Sequence, residues 1–263
     1  MKQVVLITGG SSGIGNSVAR ILAAEGCRVY EMSRGEGEPS GWVHIRGDVA
    51  SEQDAKRAAE YVLSREGRID VLINNAGFGI SGAAEFTDMA DAARQMDINF
   101  FGMARMCQAV LPHMRRAGRG RILNVSSVAA AVPIPFQAFY SASKAAVNAY
   151  SLALANEVRP YGVSVCAVMP GDIKTGFTSA RKKQNAGDEA YGGRIARSVA
   201  KMELDEQSGM EPAAAGRAIA RIARKRNRKP LYAIRLDYQA ITLLARFLPA
   251  RLLNWLVFRL YAR

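Results

Sequence analysis

The sequence predicts a single α/β domain built on a doubly wound parallel sheet with helices on both faces, and three observations support this fold class. Short apolar strands alternate with amphipathic helical stretches as far as about residue 170. A glycine-rich turn follows the first strand directly and opens a helix. The 263 residues, 49% of them hydrophobic, are enough to bury one full core, and no long polar linker divides them.

Each predicted strand is a short apolar run, and each predicted helix is an amphipathic stretch between two such runs. The predicted strands are 3–8, 27–32, 43–46, 69–74, 121–126, 163–169 and a short one around 231–235. The predicted helices are 13–25, 51–66, 88–117, 138–159 and one from Pro212 to about Lys225. Pro112 is expected to end or bend the third helix, because proline lacks the backbone N–H that a helix interior uses.

The chain after Pro170 has a looser pattern than the part before it. Residues 176–210 mix Lys, Gln, Asn, Gly and Glu with few apolar anchors, which predicts a mobile loop over the substrate. Residues 236–263 form a C-terminal extension of two amphipathic segments that flank Pro249. The whole chain, 1–263, is therefore interpreted as one catalytic domain with a helical extension.

The net charge of +13 is unevenly distributed along the chain. Residues 1–180 carry 18 basic and 16 acidic side chains, whereas residues 181–263 carry 18 and 7. This asymmetry indicates an anionic partner for the C-terminal third, such as a membrane surface, an acidic protein or an anionic substrate. The basic run over 217–229 has a simpler interpretation as the solvated face of an amphipathic helix. Nucleic acid is disfavoured, because no recognition motif or aromatic platform accompanies the basic residues.

Composition argues against several other classes of protein. The three cysteines, Cys27, Cys107 and Cys166, lie far apart without metal-ligand spacing, and are expected to be free thiols in a reducing compartment. The two histidines, His44 and His113, are too few for a credible metal site, so no metal is predicted. The first strand begins almost at the initiator Met, without a charged and then apolar leader, so a cytoplasmic protein is expected.

The turn after the first strand has the composition of a phosphate-binding loop. Glycines allow a backbone to approach a diphosphate closely, and the free N–H groups of a helix N-terminus attract it. The spacing departs from the G-x-G-x-x-G fingerprint, since three residues separate the first glycine of the motif from the second. The residues concerned are Gly9, Ser11, Ser12, Gly13, Ile14 and Gly15.

The end of the second strand predicts which dinucleotide the loop would hold. Proteins selective for NAD place an acid there for the ribose hydroxyls, and those selective for NADP place a cation near the additional phosphate. Here Ser33 stands at the expected acid position, and Arg34 can bind a 2′-phosphate with its planar guanidinium. NADP(H) is therefore favoured over NAD(H). Three acids count against this choice, since one of them could turn inward and repel the phosphate: Glu31, Glu36 and Glu38.

Three residues have a spacing that suits proton transfer beside a hydride. Tyr140 and Lys144 lie four apart in a predicted helix, so both side chains share one face. An ammonium beside a phenol favours phenolate and is expected to lower the tyrosine pKa from about 10, so that it can exchange a proton with an alcohol or ketone. Ser127, at the end of an apolar strand, can bond the same substrate oxygen.

These motifs, in this order, resemble the short-chain dehydrogenase/reductase family in its compact single-domain branch. The resemblance covers roughly residues 2–176 and implies a Rossmann-like fold. Ser127 lies thirteen residues before Tyr140, which makes the combination specific. The motifs are Thr8-Gly9-x3-Gly13-x-Gly15, Asp48-Val49, Asn74-Asn75-Ala76-Gly77, Asn99, Ser127, Tyr140-x3-Lys144 and Pro170-Gly171-x3-Thr175.

The resemblance also implies a role for each motif. Tyr140 would be the acid/base, with Lys144 tuning it and binding the nicotinamide ribose. Ser127 would orient the substrate carbonyl, and Asn99 would anchor a water that relays protons to Lys144. The adenine would be held by Asp48 and Val49, the adenosine and ribose by Asn75, Ala76 and Gly77, and the nicotinamide side by Pro170, Gly171, Ile173 and Thr175. Association into a homodimer or homotetramer is typical of the family.

The C-terminal extension is similar to those of family branches that act on lipophilic alcohols and ketones such as steroids, retinoids and long-chain sphingoid ketones. The extension either packs over the substrate cleft or a dimer partner, or lies in a membrane interface with its arginines at the surface. Three functions follow. The first is an NADPH-preferring oxidoreductase for a lipophilic alcohol or ketone. The alternatives are an NADP-binding regulatory protein that docks on a membrane or acidic protein, and a β-ketoacyl thioester reductase.

Overall fold

A computed structural model describes residues 2–37, 41–225 and 229–263. Within these ranges a parallel seven-stranded sheet forms the centre, in the order β3-β2-β1-β4-β6-β7-β9. A separate two-stranded pair, β5 with β8, lies beside it. The strands are β1 Val4–Thr8, β2 Arg28–Ser33, β3 Val43–Arg46, β4 Val71–Asn74, β5 Ile80–Ser81, β6 Gly120–Val125, β7 Val163–Met169, β8 Lys182–Lys183 and β9 Leu231–Ala233.

The helices cover both faces of the sheet, which confirms the predicted fold class. Helices α2, α4 and α5 pack on one face, and α1 and α8 pack on the other. Both faces are hydrophobic because a parallel strand is buried on its two sides. The helices are α1 Gly13–Ala24, α2 Glu52–Glu66, α3 Met89–Met96, α4 Met103–Arg116, α5 Ala138–Glu157, α6 Phe177–Ala180, α7 Arg194–Gln207, α8 Pro212–Arg224, α9 Leu236–Leu244 and α10 Ala250–Tyr261.

The strand order reverses direction at β1 and β4, and this reversal fixes the position of the site. Crossovers run outward from β1 on one side and from β4 on the other, so the loops after these two strands part and leave a crevice. Thr8 ends β1 and pairs in register with Asn74, which ends β4. The glycine loop after β1 and the Asn75-Ala76-Gly77 segment after β4 therefore face the same crevice.

The region predicted as one helix over 88–117 differs in its interior. A π-helical segment, Asp97–Gly102, separates α3 from α4, and such a segment often marks a functional position. Pro112 does not end the helix, because α4 continues through it to Arg116, and the alternative of a bend at Pro112 stays a prediction. Pro112 is ten residues into α4, and Val110 and Met114 on either side of it are buried, so packing against the sheet holds this turn in place.

Residues 176–210 contain more regular structure than their composition suggests. They include α6, β8 and α7, and α7 buries Ile195, Val199 and Met202 against its neighbours. The apolar anchors stand singly at helical spacing, with alanines and polar residues between them, so they form no continuous apolar run. The mobility of this segment stays a prediction.

Helices α9 and α10 end the chain on the carboxyl side of the sheet. Val257 of α10 is buried, while most other large apolar side chains of the two helices are exposed. Among the described residues, no helix combines the length and the apolar character needed to cross a bilayer.

Candidate active site

A cleft of about 840 Å³ opens at the carboxyl ends of β1, β4, β6 and β7. This volume lies within the range of about 300–1,000 Å³ that is usual for ligand pockets. The glycine loop forms one end of the cleft, and helices α9 and α10 form the other. Of the predicted site residues, the cleft wall includes Gly9, Ser11, Ser12, Gly13, Ile14, Arg34, Asp48, Val49, Asn75, Ala76, Gly77, Ser127, Tyr140, Lys144, Pro170, Gly171, Ile173 and Thr175.

The glycine loop has the shape that a bound diphosphate requires. Gly9 and Gly13 have φ values of +66° and +54°, which favour glycine. A Cβ on Gly9 would come within 2.8 Å of the Ala76 Cα, so the loop packs directly on the next segment. Within residues 2–37, no acidic side chain lies in the first turn of α1, and the Ser12 side chain does not cap it. The N–H groups of this turn are thus available to an anion.

Gly15 lies behind the cleft wall rather than on it. A Cβ at this position would overlap the Gly9 carbonyl oxygen and the Asn75 side-chain amide. The Asn75 amide nitrogen donates to the carbonyl oxygens of Thr8 and Gly9, at 3.2 and 2.9 Å. Gly15 therefore permits a tight packing that supports the loop, and its part in cofactor binding stays a prediction.

The segment after β2 presents a cation to the cleft that the glycine loop also lines. Arg34 lines the cleft, is exposed, and forms no ion pair with the described residues. Glu31 does turn inward, but its carboxylate accepts bonds from the Gly10 N–H at 2.9 Å and from His44 Nδ1 at 2.6 Å. Glu36 pairs with Arg46 at the surface. Glu38 lies outside the described residues.

Tyr140 and Ser127 meet at the floor of the cleft. Ser127 follows β6 and its oxygen accepts a bond from the Ala129 N–H at 3.1 Å, which leaves its own proton free to donate. Hydrogen bonding to this hydroxyl lowers the pKa of the Tyr140 phenol, but desolvation is the larger effect and raises that pKa to about 12. The positive charge of Arg181 also lowers the pKa of Tyr140, but by less than desolvation raises it.

Lys144 lies one turn after Tyr140 on α5, as predicted, but does not act on the phenol as predicted. Its Nζ donates to the Val125 carbonyl oxygen at 2.9 Å and lies 5.8 Å from the centre of the Tyr140 ring. Burial lowers the pKa of Lys144 to about 8. The expected acidification of Tyr140 by its cationic neighbour is therefore wrong in direction, because burial weakens the cation and disfavours the phenolate.

Asn99 is buried next to the cleft and does not line it. Its side-chain oxygen accepts from the Phe78 N–H, and its amide nitrogen donates to the Phe78 carbonyl and to Ser143 Oγ, each at 3.0 Å. A Cβ on Gly77 would lie 3.0 Å from this Asn99 oxygen and 3.5 Å from the Lys144 nitrogen. Asn99 is thus near Lys144, in the π-helical segment, with its side chain fixed by protein groups.

The C-terminal third contributes wall residues that were not predicted. Apolar side chains come from α9 and α10, and polar ones from Arg181, Glu206 and Tyr238, while Asp172 and α6 line the cleft just before this third begins. Tyr238 Oη donates to Asp172 Oδ2 at 2.5 Å and accepts from the Asp172 N–H at 3.0 Å. Its ring packs against Gly171, where a Cβ would overlap it. The sequence carried little signal for these residues, because no motif links positions so far apart.

A parallel sheet with a glycine loop at its switch point and a tyrosine, serine and lysine in the adjoining cleft defines a dinucleotide-dependent oxidoreductase. Comparison with known proteins agrees. The family model for short chain dehydrogenases matches residues 3–186. A 3-ketodihydrosphingosine reductase of Bacteroides thetaiotaomicron is 45% identical over 228 residues, which cover 86% of this chain and 85% of that protein.

Solved structures give the same assignment. A short-chain dehydrogenase from Streptomyces avermitilis superposes with a TM-score of 0.83 at 30% identity, over 94% of this chain and 92% of that one. Two others differ in the nucleotide they hold. ElxO with NADP bound has a TM-score of 0.75 at 25% identity, over 91% and 100% of the two chains. A 3-ketoacyl-(acyl-carrier-protein) reductase from Brucella melitensis complexed with NADH has 0.74 at 26%, over 88% and 96%.

The chain belongs to the short-chain dehydrogenase/reductase family. It is an oxidoreductase that acts on CH–OH groups and their carbonyl counterparts and binds NAD(P)(H).

Proposed function

We propose that this protein interconverts a long-chain lipophilic ketone and its secondary alcohol with NADPH as the preferred cofactor. One observation carries the proposal: Tyr140 and Ser127 lie in a cleft that runs from the glycine loop to an apolar wall formed by the C-terminal helices. A nucleotide fits the first end and an alkyl chain fits the second. When bound, the nicotinamide supplies or accepts the hydride.

The protein's own groups would control the proton. The Tyr140 phenol, with its pKa raised to about 12, holds its proton throughout the neutral range and can donate it to a ketone oxygen. The Ser127 hydroxyl can donate to the same oxygen, because it accepts the bond from the Ala129 N–H and does not use its own proton there. Lys144 would bind the nicotinamide ribose beside Tyr140, and Asn99 would support Lys144 from the π-helical segment.

The substrate half of the cleft supports a lipophilic ligand. Its wall includes Ile134, Phe177, Ile241, Val257 and Leu260, all of them apolar. The 3-ketodihydrosphingosine reductase among the relatives is named for the reduction of a sphingoid ketone. A ketone of this kind is therefore the first candidate. A β-ketoacyl thioester is the second, favoured by the similarity to a 3-ketoacyl-(acyl-carrier-protein) reductase.

The chemistry is tested by NADPH consumption with a long-chain ketone, a steroid ketone, retinal and an acetoacetyl thioester. Tyr140→Phe removes only the transferable proton and should lower kcat by about 10²–10⁴-fold. Tyr161→Phe, the same change at a tyrosine 47% exposed, serves as the control and should leave the rate unchanged. Undiminished turnover in Tyr140→Phe would overturn the proposed role. Turnover of the thioester alone would assign the second candidate.

The preference for NADPH is supported by Arg34, which lines the cleft without an ion pair to the described residues, and by the engagement of Glu31 with Gly10 and His44. Arg34→Ala should raise KM for NADPH by about tenfold, since a charge-assisted contact of roughly 1.5 kcal/mol is lost, and should leave KM for NADH unchanged. Arg20→Ala, at an exposed arginine of α1, makes the same charge change outside the cleft. An equal effect on both nucleotides would contradict the proposal.

Residues 236–263 support a peripheral contact with an anionic bilayer. This segment exposes Leu236, Ile241, Leu243, Leu244, Phe247, Leu252, Trp255, Leu256, Phe258 and Leu260, and its arginines at 246, 251, 259 and 263 are exposed among them. Ile241 and Leu260 also line the cleft, so a lipid could pass between bilayer and cleft without crossing water. A helix pair with apolar and basic residues intermixed suits the membrane interface.

Vesicle flotation tests this contact with the full chain. Leu244→Gln with Phe247→Gln should reduce binding to vesicles that contain phosphatidylserine by on the order of tenfold. Met89→Gln with Leu204→Gln removes two side chains of similar exposure outside the segment and should not change binding. Equal flotation of all three proteins would count against the bilayer.

Self-association into a dimer or tetramer through α4 and α5 is also proposed. Phe101, which precedes α4, and Leu152 of α5 are exposed apolar residues in this region, at 50% and 38%. Sedimentation velocity of the wild type and of Phe101→Glu with Leu152→Glu tests the assembly. A sedimentation coefficient that both proteins share would exclude this interface.

A further inference from the structure

Arg181 is a buried cation whose hydrogen-bonding capacity is only partly used. Its side chain is 1% exposed, and its Nη2 pairs with Glu206 Oε1. Its Nε and Nη1 have no hydrogen-bond partner among the described residues. Buried donors without a partner are rare in folded proteins and call for an explanation, such as a ligand that supplies the missing acceptor.

Arg181 lies in the wall of the catalytic cleft, beside the reacting group. The centre of the Phe177 ring is 5.8 Å from the centre of the Tyr140 ring, and the Arg181 Cζ lies 5.8 Å from the same Phe177 ring. The charge of Arg181 is also felt at Tyr140, where it lowers the pKa of the phenol. An atom bound by Arg181 would thus lie on the same side of the cleft as the Phe177 ring, which contacts Tyr140.

Glu206 decides which kind of acceptor suits this site. Its carboxylate is engaged by Arg181 and by the Thr178 hydroxyl, so Arg181 already has a counter-ion. Asp172 adds a second carboxyl on the same cleft wall. An anionic substrate group would meet these two carboxyls, whereas a neutral oxygen gains the free N–H groups of Arg181 without that repulsion.

We propose that Arg181 binds a neutral oxygen, a hydroxyl, on the carbon chain close to the reacting carbonyl, and so selects lipophilic ketones that carry a polar head. This inference rests on the proposed function and adds a specificity-determining residue to it. A ketone without the hydroxyl would bury the same cleft wall and leave the Arg181 donors unsatisfied. A site built to bond a substrate hydroxyl discriminates strongly against an analogue that lacks it.

The test compares two substrates in the same proteins. The probes are a long-chain β-hydroxy ketone and the ketone of equal length without the hydroxyl, each assayed with NADPH. In the wild type, kcat/KM for the hydroxy ketone should exceed that for the plain ketone by about 10–100-fold. In Arg181→Met, which keeps the length and removes the donors, this ratio should fall to about one through loss on the hydroxy ketone alone.

Two further measurements separate a binding role from a structural one. NADPH affinity of Arg181→Met should match the wild type if the side chain serves the substrate, whereas thermal unfolding should shift to lower temperature in either case, because Glu206 loses its buried counter-ion. Arg181→Lys, which restores a donor, should recover part of the ratio. A merely structural Arg181 would lower both kcat/KM values equally and leave the ratio intact, and that result would overturn the inference.

The outcome stays decisive if the methionine variant does not fold. A wild-type ratio near one, with both ketones turned over, overturns the inference without the variant and leaves the proposed function in place. Turnover of neither ketone refutes the proposed function itself. A high wild-type ratio that Arg181→Lys reduces would support the inference.

Discussion

The part of the chain that ends near Thr175 and the part that follows it differ in how much of their apolar surface is buried. In the first, strands β1, β4 and β6 are fully buried, and the groups that hold the loops are bonded to one another. In the second, α9, α10 and the turn between them expose ten large apolar side chains. The first region therefore supplies a buried framework, whereas the second exposes apolar surface that a substrate or bilayer would cover.

Helix α8 shows that this boundary is not simply a position in the sequence. It belongs to the C-terminal third, yet Ile219 is fully buried in the same hydrophobic cluster as Val18 and Leu22 of α1. A Cβ on Gly216 would come within 2.8 Å of the Ser17 Cβ, so the two helices pack closely. The core of the first region therefore includes α8, although α8 belongs to the C-terminal third of the sequence.

The largest expected effect tests this assignment of α8. Ile219→Ala should lower the free energy of unfolding by about 2–5 kcal/mol, because it leaves a cavity between α1 and α8. Leu244→Ala on α9, where the side chain is 57% exposed, should change it by less than about 0.5 kcal/mol. Urea unfolding followed by circular dichroism measures both values. Similar losses in the two variants would mean that α9 belongs to the same cooperative core.

The next effect concerns the glycine loop. Gly15→Ala places a methyl group against the Gly9 carbonyl and the Asn75 amide, and overpacking of this kind costs about 1–3 kcal/mol. NADPH affinity, measured by quenching of protein fluorescence, should fall by roughly 10–100-fold. Gly41→Ala is the matched control, since its Cβ would meet nothing closer than Ala23 at 3.9 Å. Unchanged affinity in Gly15→Ala would show that the loop tolerates displacement.

The two regions also differ in how well the sequence predicts them. Strands such as β1 and the glycine loop follow from local rules, because an apolar run and a turn that needs φ > 0 leave few alternatives. The positions of Tyr140 and Lys144 on one helical face follow from their spacing. The neighbours of Arg181 could not be predicted, because they depend on how α6 and α7 pack. The pKa shift of Tyr140 was predicted in the wrong direction, since burial cannot be read from spacing.

The pH dependence of catalysis tests the directions of the pKa shifts at Lys144 and Tyr140. The pKa of Lys144 is lowered to about 8 by burial, so the free protein carries this charge below about pH 8 and loses it above. Tyr140 keeps its proton across the same range, because its pKa is raised to about 12. If the Lys144 charge assists ketone reduction, kcat/KM should fall about tenfold per pH unit above pH 8.

Lys144→Met supplies the comparison for this profile. Its kcat/KM should be low at every pH and flat between pH 7 and about pH 10, because the titrating group is gone. A falling limb at the same pH in the methionine variant would assign the titration to another group and remove Lys144 from the explanation.

The smallest expected effect lies at the contact between the two regions. Tyr238 of α9 packs its ring on Gly171, and its hydroxyl accepts from the Asp172 N–H and donates to the Asp172 carboxylate. These contacts hold α9 against the loop after β7. Tyr238→Phe keeps the ring and removes the two hydrogen bonds. The net loss is about 1 kcal/mol, which should make opening of α9 roughly five times more frequent.

Amide hydrogen exchange measures this opening in residues 236–244, and exchange in β1 should not change. Tyr161→Phe removes an exposed hydroxyl just before β7, outside the cleft, and should leave exchange in α9 as it is in the wild type. If exchange in α9 is the same in Tyr238→Phe, the ring contact with Gly171 alone holds the helix. Faster exchange in β1 as well would mean that the two regions open together, and so do not have separate free energies of opening.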